Sequence, residues 1–232
     1  MDDRVCQAVA KVRKQIQTSA LPKLPLLWTE WNVPGMKQAR DTSFVGPALA
    51  NTIRQCDGMV DMMSFWTFSD VFEEGGPIPQ PFEGHFGLRA RGGINKPSYY
   101  DFGLLHELGD QRLASSASNV IATKRRDGTL VIAVWNLVDP DKAGNTKTVR
   151  LIFNGLPRNA LVSVSQVDDK HGNALAAYRA LGSPRYPTED QISRLNGATA
   201  LSPPNEQPLE GDHIDLNLEA NAFVLIEVKA GS

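Results

Sequence analysis

The hydrophobic positions along the chain change period part way. In residues 3–19, Val5, Ala8, Val12 and Ile16 recur at helical spacing, and Pro22 and Pro25 stop the pattern. Leu26-Leu27-Trp28 is a short apolar run without polar alternation, as in a strand buried on both faces. Thr42 or Ser43 is placed to cap a helix running to Cys56, with Pro47 near its first turn and Asp57-Gly58 as its break. Met59 to Phe68 reads as a second buried strand, followed by a long loop with Gly75-Gly76-Pro77, Pro79 and Pro81. Lys96-Pro97 opens a helix with Tyr100, Leu104, Leu105 and Leu108 on one face and Gly109 at its end. Helix and strand alternating at this spacing predict parallel strands with crossover helices.

From about residue 113 the pattern is different. Thr129–Leu137 is a strand entered through the turn Asp127-Gly128, and Val149–Phe153, Ala160–Val167 and Ala222–Val228 are further strands. Turn residues separate them, which predicts an antiparallel β-sandwich with one helical insert near 188–195. The linker falls between Gly109 and Ser118. The Lys124-Arg125-Arg126 cluster reads as a solvated hairpin end.

Composition narrows the function. The 232 residues carry 24 basic and 26 acidic side chains, a net charge of −2, and 41% hydrophobic residues, enough for a core. No arginine-rich run supports nucleic-acid binding, and no apolar run is long enough to cross a bilayer. Acidic residues stand at the N-terminus where a signal peptide is positive, and Cys6 and Cys56 lie far apart. Both features lead to the expectation of a reduced, cytoplasmic chain. The four histidines, His85, His106, His171 and His213, lack metal-ligand spacing.

Candidate chemistry concentrates at the two strand ends. In parallel α/β architecture, functional groups gather at the carboxyl ends of strands. The first strand ends in Trp28-Thr29-Glu30-Trp31-Asn32. Indole rings pack on the C–H faces of sugars, and a carboxylate between them can attack an anomeric carbon. A surface carboxylate beside two core tryptophans is the other reading of the same residues. The second strand ends in Phe65-Trp66-Thr67-Phe68-Ser69-Asp70, followed by Val71-Phe72-Glu73-Glu74. Neighbouring strands bring this aromatic and acidic loop beside Glu30; the bland alternative is a solvated acidic loop over core aromatics.

The pieces TEWN (29–32), FWTFSDVFEE (65–74), GHFGL (84–88) and INKPSYYDFGLLHELG (94–109) occur in an order that resembles the C-terminal part of a glycoside hydrolase family 39 catalytic domain, the β-xylosidase family. HGNALAAYRALGSPRYPTEDQ (171–191) extends the resemblance through the second half. The resemblance implies an α/β plus all-β chain: residues 1–112 as the C-terminal portion of a (β/α)8 TIM barrel holding its seventh and eighth strands, and residues 113–232 as a β-sandwich. It implies Glu30 as catalytic nucleophile, Trp66 as part of the sugar pocket, and Glu73 and Glu74 as contacts to sugar hydroxyls, with Asp70 orienting the loop and His85 close by. No cofactor or metal is implied. The implied substrate is a xylo-oligosaccharide or other β-glycoside, cleaved with retention.

A whole barrel needs about 250 residues. The strand whose Asn-Glu motif supplies the acid/base in that family has no counterpart here. The only Asn-Glu pair, Asn205-Glu206, lies in a proline-rich loop of the second half. Two parallel strands cannot close on themselves, so Leu26, Trp28, Met63 and Phe65 are expected to be exposed on at least one side, and a homo-oligomer through the open barrel edge becomes possible. A non-catalytic carbohydrate-binding or structural fragment is the rival to the enzyme.

Overall fold

The computed structural model describes residues 4–33, 35, 37–72, 76–157 and 159–231. Its first part runs α1 (Arg4–Gln17), β1 (Leu27–Trp31), a 3-10 turn (Lys37–Asp41), α2 (Val45–Cys56), β2 (Met62–Phe65), a short hairpin of β3 (Arg89–Ala90) and β4 (Ile94–Asn95), and α3 (Pro97–His106). β1 and β2 pair in parallel, with Leu27 opposite Met62 and Trp28 opposite Met63. α1 and α2 cover one face of this pair. Cys6, Val9, Leu26 and Cys56 are buried together there, and Trp31, Val33, Phe44, Val45 and Leu49 form an adjoining cluster with Trp28, Met63 and Phe65 against it.

Burial along the two strands corrects the expected phase. Leu26 is buried and Trp28, Met63 and Phe65 are half-buried, while Leu27 and Met62 are exposed. The helices take one side chain of each alternating pair and leave the other open. The strands are therefore covered on one face, and the open face carries Leu27 and Met62 beside the polar Thr29, Glu30 and Ser64.

The two cysteines correct a second expectation. Cys6 and Cys56 are joined in a disulfide, Cα to Cα 5.1 Å, across a sequence separation of 50 residues. Such a bridge constrains the unfolded chain by about 4 kcal/mol in the loop-entropy account. The cysteines therefore lend no support to a reducing compartment.

α2 begins differently from the expected cap. No side chain caps the helix. The Thr42 hydroxyl donates back to the Ala39 carbonyl at 2.8 Å, and the Ser43 hydroxyl donates to Asp169 Oδ1 at 2.6 Å. Ser43 thus ties the start of α2 to the loop that follows residue 167, a tertiary use of a residue that local pattern reads as a cap. Gly46, in the first turn, meets α3: a Cβ there would stand 2.2 Å from Asp101 Cγ. Asp101 is fully buried, and burial pushes its carboxyl pKa well above the usual range. Gly46→Ala therefore forces α2 and α3 apart. A loss of about 1–3 kcal/mol in urea unfolding is expected from overpacking of this kind.

The remaining elements are β5 (Gln111–Leu113), β6 (Val120–Lys124), β7 (Leu130–Trp135), β8 (Lys147–Ile152), β9 (Leu161–Val167), α4 (Ala174–Ala180), α5 (Glu189–Thr199), β10 (Gln207–Pro208), β11 (His213–Leu218) and β12 (Phe223–Lys229). Six form an antiparallel sheet in the order β10-β9-β12-β7-β6-β5, and β8 pairs with β11 in a second sheet. Between the sheets lie Val120, Ile132, Val134, Val162, Val224 and Ile226, against Val149, Leu151, Ile214 and Leu216. The opposite face of the large sheet presents Ile121, Val131, Ala133, Trp135 and Leu225 to Ala50, Leu104 and Tyr100 of α2 and α3. Both faces of β7 and β12 are covered, so their sequences run apolar without alternation. The hairpin end at 124–126 is only partly solvated: Arg126 is exposed, but Arg125 pairs with Glu107 and Glu227.

Near 188–195 the structure holds two helices. α5 starts at a capping box of Thr188 and Gln191 and runs to Thr199, and α4 precedes it with Asn173 accepting from the Leu175 amide. Together they cover the β3–β4 hairpin through Ala174, Tyr178 and Leu195.

Asp168, at the end of β9, is buried. Burial raises its pKa, but the Lys170 amide (2.8 Å), the His171 ring (2.8 Å) and the His171 amide (2.7 Å) hold the carboxyl below its usual value. Its stabilising effect is present above the unfolded-state pKa of about 3.9 and is lost as pH falls through the lower folded value. Asp168→Ala is expected to cost about 2–3 kcal/mol at neutral pH. The gap from wild type should narrow in urea titrations repeated as pH falls below the ordinary carboxylate range.

Candidate active site

The carboxyl ends of β1 and β2 open into a hollow of about 470 Å³. Its lining is Glu30, Trp31 and Asn32 from the first strand, Trp66 and Phe72 after the second, and His85 and Phe86 from the 84–88 loop. The size is that of an ordinary small-molecule site.

Glu30 reaches the hollow because β1 is irregular. Trp28 pairs with Met63 and Trp31 with Phe65, so Thr29 and Glu30 together face the single residue Ser64. This extra residue reverses the alternation. Trp28 and Trp31 both turn to the helices, while Leu27, Thr29 and Glu30 are exposed. A bulge is a known means of re-aiming one side chain at a strand end. Trp31 is then fixed edge-on to Phe65, centroids 5.5 Å apart, and Phe65 in turn meets Phe102 of α3 at 5.2 Å.

Asn32 joins the three walls. Its side-chain amide donates to the carbonyls of Trp66 and, at 3.2 Å, Phe86. Trp66, followed by a cis peptide bond to Thr67, packs edge-on to Phe72 at 5.8 Å and keeps part of its indole open. Phe86 is backed by the Arg40 guanidinium, 4.0 Å above its ring, and Arg40 also donates to the Gly84 carbonyl at 3.2 Å. Burial lowers the Arg40 pKa, opposed by the neighbouring Asp41.

Under the hollow lies a buried ionic cluster. Lys96 Nζ sits 2.7 Å from Asp41 Oδ1 and 2.8 Å from Asp70 Oδ1, and donates to the His85 carbonyl at 3.0 Å. Asp41 accepts from the Gly84 amide at 2.6 Å and Asp70 from the Gly87 amide at 2.7 Å. Burial pushes the Asp70 pKa up, and the Lys96 charge and hydrogen bond pull against it. The cluster pins both ends of the loop that presents His85 and Phe86. The two glycines are obligatory: a Cβ at Gly84 would be 2.2 Å from the Lys37 carbonyl oxygen, and one at Gly87 would be 2.1 Å from the Asp70 nitrogen.

Of the residues singled out in the sequence, the structure brings Glu30, Trp66 and His85 to one hollow and places Asp70 beneath it as an anchor of the loop. Glu73 and Glu74 lie outside the described residues. Asn205 lines a separate hollow beside β9, and Glu206 pairs with Lys229 on the sandwich. Neither meets Glu30. Sequence reasoning missed Asp41, Lys96 and Arg40. Lys96 stands inside the KPSYYDF segment, but a lysine reads as a surface residue unless its partners are known. Among the described residues no group of three or more His, Cys, Asp or Glu side chains is arranged to hold a metal ion.

Comparison with known proteins gives the family. The sequence model of glycosyl hydrolases family 39 matches residues 1–210. The chain is 32% identical over 222 residues to a β-xylosidase of Geobacillus stearothermophilus, covering 94% of this chain and 44% of that protein. It is 31% identical over 204 residues to a β-xylosidase of Caldicellulosiruptor saccharolyticus, covering 82% and 40%. The crystal structure of a monomeric β-xylosidase from Caulobacter crescentus superposes with a TM-score of 0.86 at 29% identity, over 99% of this chain and 50% of that one. The chain thus spans about half the length of the relatives it matches. With the match extending over most of its length, the chain belongs to glycosyl hydrolases family 39.

Proposed function

We propose that this chain carries the nucleophile half of a retaining β-xylosidase site, acting on terminal β-xylosyl residues of xylo-oligosaccharides or a related β-glycoside. The observation that carries this reading is the β1 bulge, which turns Glu30 into an aromatic-walled hollow at the carboxyl ends of two parallel strands. In this reading residues 1–112 contribute the seventh and eighth strands of a (β/α)8 barrel, and residues 113–232 form an accessory sandwich. The xylosyl ring lies against Trp66, and Glu73 and Glu74 hold its hydroxyls.

Glu30 attacks C1 from the face opposite the leaving oxygen. The C1–O bond breaks, and the sugar is left esterified to Glu30. Water then takes the ester's place at C1, and Glu30 leaves as carboxylate with the configuration restored. Both steps normally use a second carboxyl about 5–5.5 Å away, which protonates the departing oxygen and then activates water. Among the described residues that line the hollow, Glu30 is the one carboxylate. The chain alone therefore suits substrates whose leaving group departs without a proton. No cofactor takes part.

The missing partner carboxyl also favours a second reading, a sugar-binding module without turnover. Mixing the purified chain with a dinitrophenyl β-xyloside separates the two. The enzyme reading predicts a burst of phenolate approaching one per chain, followed by slow turnover, and no burst from Glu30→Gln. Xylose binding without any burst favours the module, and equal release from both proteins removes Glu30 as nucleophile.

A further inference from the structure

The loop that presents His85 and Phe86 carries a second cluster further back, outside the hollow. The Pro79 carbonyl accepts from Arg91 Nη1, at the tip of the β3–β4 hairpin, and from Arg185 Nε, 3.3 Å away on the connection between α4 and α5. Both guanidiniums also stand at the ring of Tyr186, 4.9 Å and 5.5 Å from its centroid. Tyr186 is 67% exposed. The framework around them is stiff. Pro77, Pro79 and Pro81 fix φ along the loop. Phe82 packs on Tyr178 at 5.0 Å, and the Tyr178 hydroxyl donates to the Pro184 carbonyl at 3.0 Å.

Two cations thus converge on one neutral oxygen and one ring, and among the described residues neither has a carboxylate partner. Glu83 and Glu189, close along the chain, pair with neither, and Asp190 is taken by Arg194 at 2.9 Å. Donors remain: Arg185 keeps both Nη groups, and Arg91 keeps Nε and Nη2. We propose that Arg91, Arg185 and Tyr186 form a binding site for a uronosyl group, with its carboxylate between the two guanidiniums and its C–H face on the open part of the Tyr186 ring. The carboxylate relieves the repulsion of the paired cations. The ring selects a sugar acid over a bare anion, since phosphate has no apolar face to lay on it. Recognition of the sugar acid follows from the cluster; that the group is a side branch of a xylo-oligosaccharide rests on the function proposed above.

The test is titration calorimetry on the full chain carrying Glu30→Gln, so that no sugar is consumed. The probes are xylotetraose, xylotetraose with one glucuronosyl branch, free glucuronate and inorganic phosphate. The branched oligosaccharide should bind about tenfold more tightly than the unbranched one at low salt, the scale of paired charge-assisted hydrogen bonds. The advantage should shrink at high salt, where exposed charges are screened. Arg91→Gln with Arg185→Gln should erase it while leaving the unbranched affinity unchanged, and Tyr186→Ala should weaken the branched sugar. Arg126→Gln, at an exposed arginine of the sandwich, should change nothing. Arginines that only staple the loop would alter stability without altering the ratio of the two affinities. Equal binding of the two oligosaccharides together with no binding of glucuronate overturns the site. So does an advantage kept by the double variant, shown folded by circular dichroism, or phosphate bound as tightly as the branched sugar. Glucuronate bound through the two arginines, with neither oligosaccharide bound, keeps the site and removes the xylan branch. Absence of a phenolate burst from the unsubstituted chain removes the proposed cleavage and leaves this site in place.

Discussion

Lys96→Met is expected to cost about 3–5 kcal/mol of stability, the usual penalty for removing one member of a buried ionic group. That is much of the total stability of an ordinary domain, so the variant should be largely unfolded at room temperature in mild urea. The cause is local. Lys96 is fully buried and is the shared cation of Asp41 and Asp70, both themselves buried. Methionine fills the space but leaves two carboxylates facing each other without a counter-charge. Burial already raises the Asp70 pKa against the pull of Lys96, so its loss raises it further. A raised folded pKa stabilises fully below the unfolded value and ceases to do so as pH rises through the folded one. The deficit of Lys96→Met should therefore shrink as pH is lowered toward about 4, the unfolded carboxylate range. Adding Asp41→Asn and Asp70→Asn should recover part of the loss at neutral pH. Urea titrations across pH check this; a deficit independent of pH would show that Lys96 acts through packing alone.

If Glu30 is the nucleophile proposed above, Glu30→Gly should lower cleavage of an activated aryl xyloside by about 10⁴-fold or more, the scale seen when a hydrolase loses a group that acts in its covalent step. Stability should barely change, since the Glu30 side chain is exposed and makes no packing contribution to the cluster around Trp31. Added azide should restore cleavage of an activated xyloside by entering the space left by the carboxylate. The product would then be the α-xylosyl azide, inverted at C1, because the small anion attacks from the nucleophile's side. Measuring rate and product configuration together distinguishes a nucleophile from a group that merely shapes the hollow, for which azide has no carboxylate to replace.

Much of the architecture was legible because core strands covered on both faces write continuous apolar runs. Residues 129–137 and 222–228 read as strands for that reason. β11 was not anticipated, although Ile214, Leu216 and Leu218 alternate along it. It belongs to a two-stranded sheet with one polar face, and its signal is weaker than a buried run. α4 was hidden by an alanine-rich sequence whose cap, Asn173, reads equally well as a turn. The disulfide was invisible because only the packing of α1 on α2 brings Cys6 to Cys56.

At the site, the residue types pointed to sugar chemistry, and Glu30 and Trp66 do share a hollow. Which way Glu30 points was not in the sequence. Strict alternation from Leu26 and Trp28 puts Glu30 on their side, toward the helices; the bulge sends it the other way, and a bulge depends on the partner strand. The ionic floor was equally hidden, since Asp41, Asp70 and Lys96 become neighbours only when the 84–88 loop folds over them.

The most direct test of the account is covalent trapping on the chain by itself. A 2-deoxy-2-fluoro-β-xyloside with a dinitrophenol leaving group needs no acid to depart, and its glycosyl ester hydrolyses slowly. Digestion and mass spectrometry after incubation should place one fluoroxylosyl group on the peptide containing Glu30. An unmodified chain that still binds xylose, or a label on any other carboxylate, would contradict the assignment.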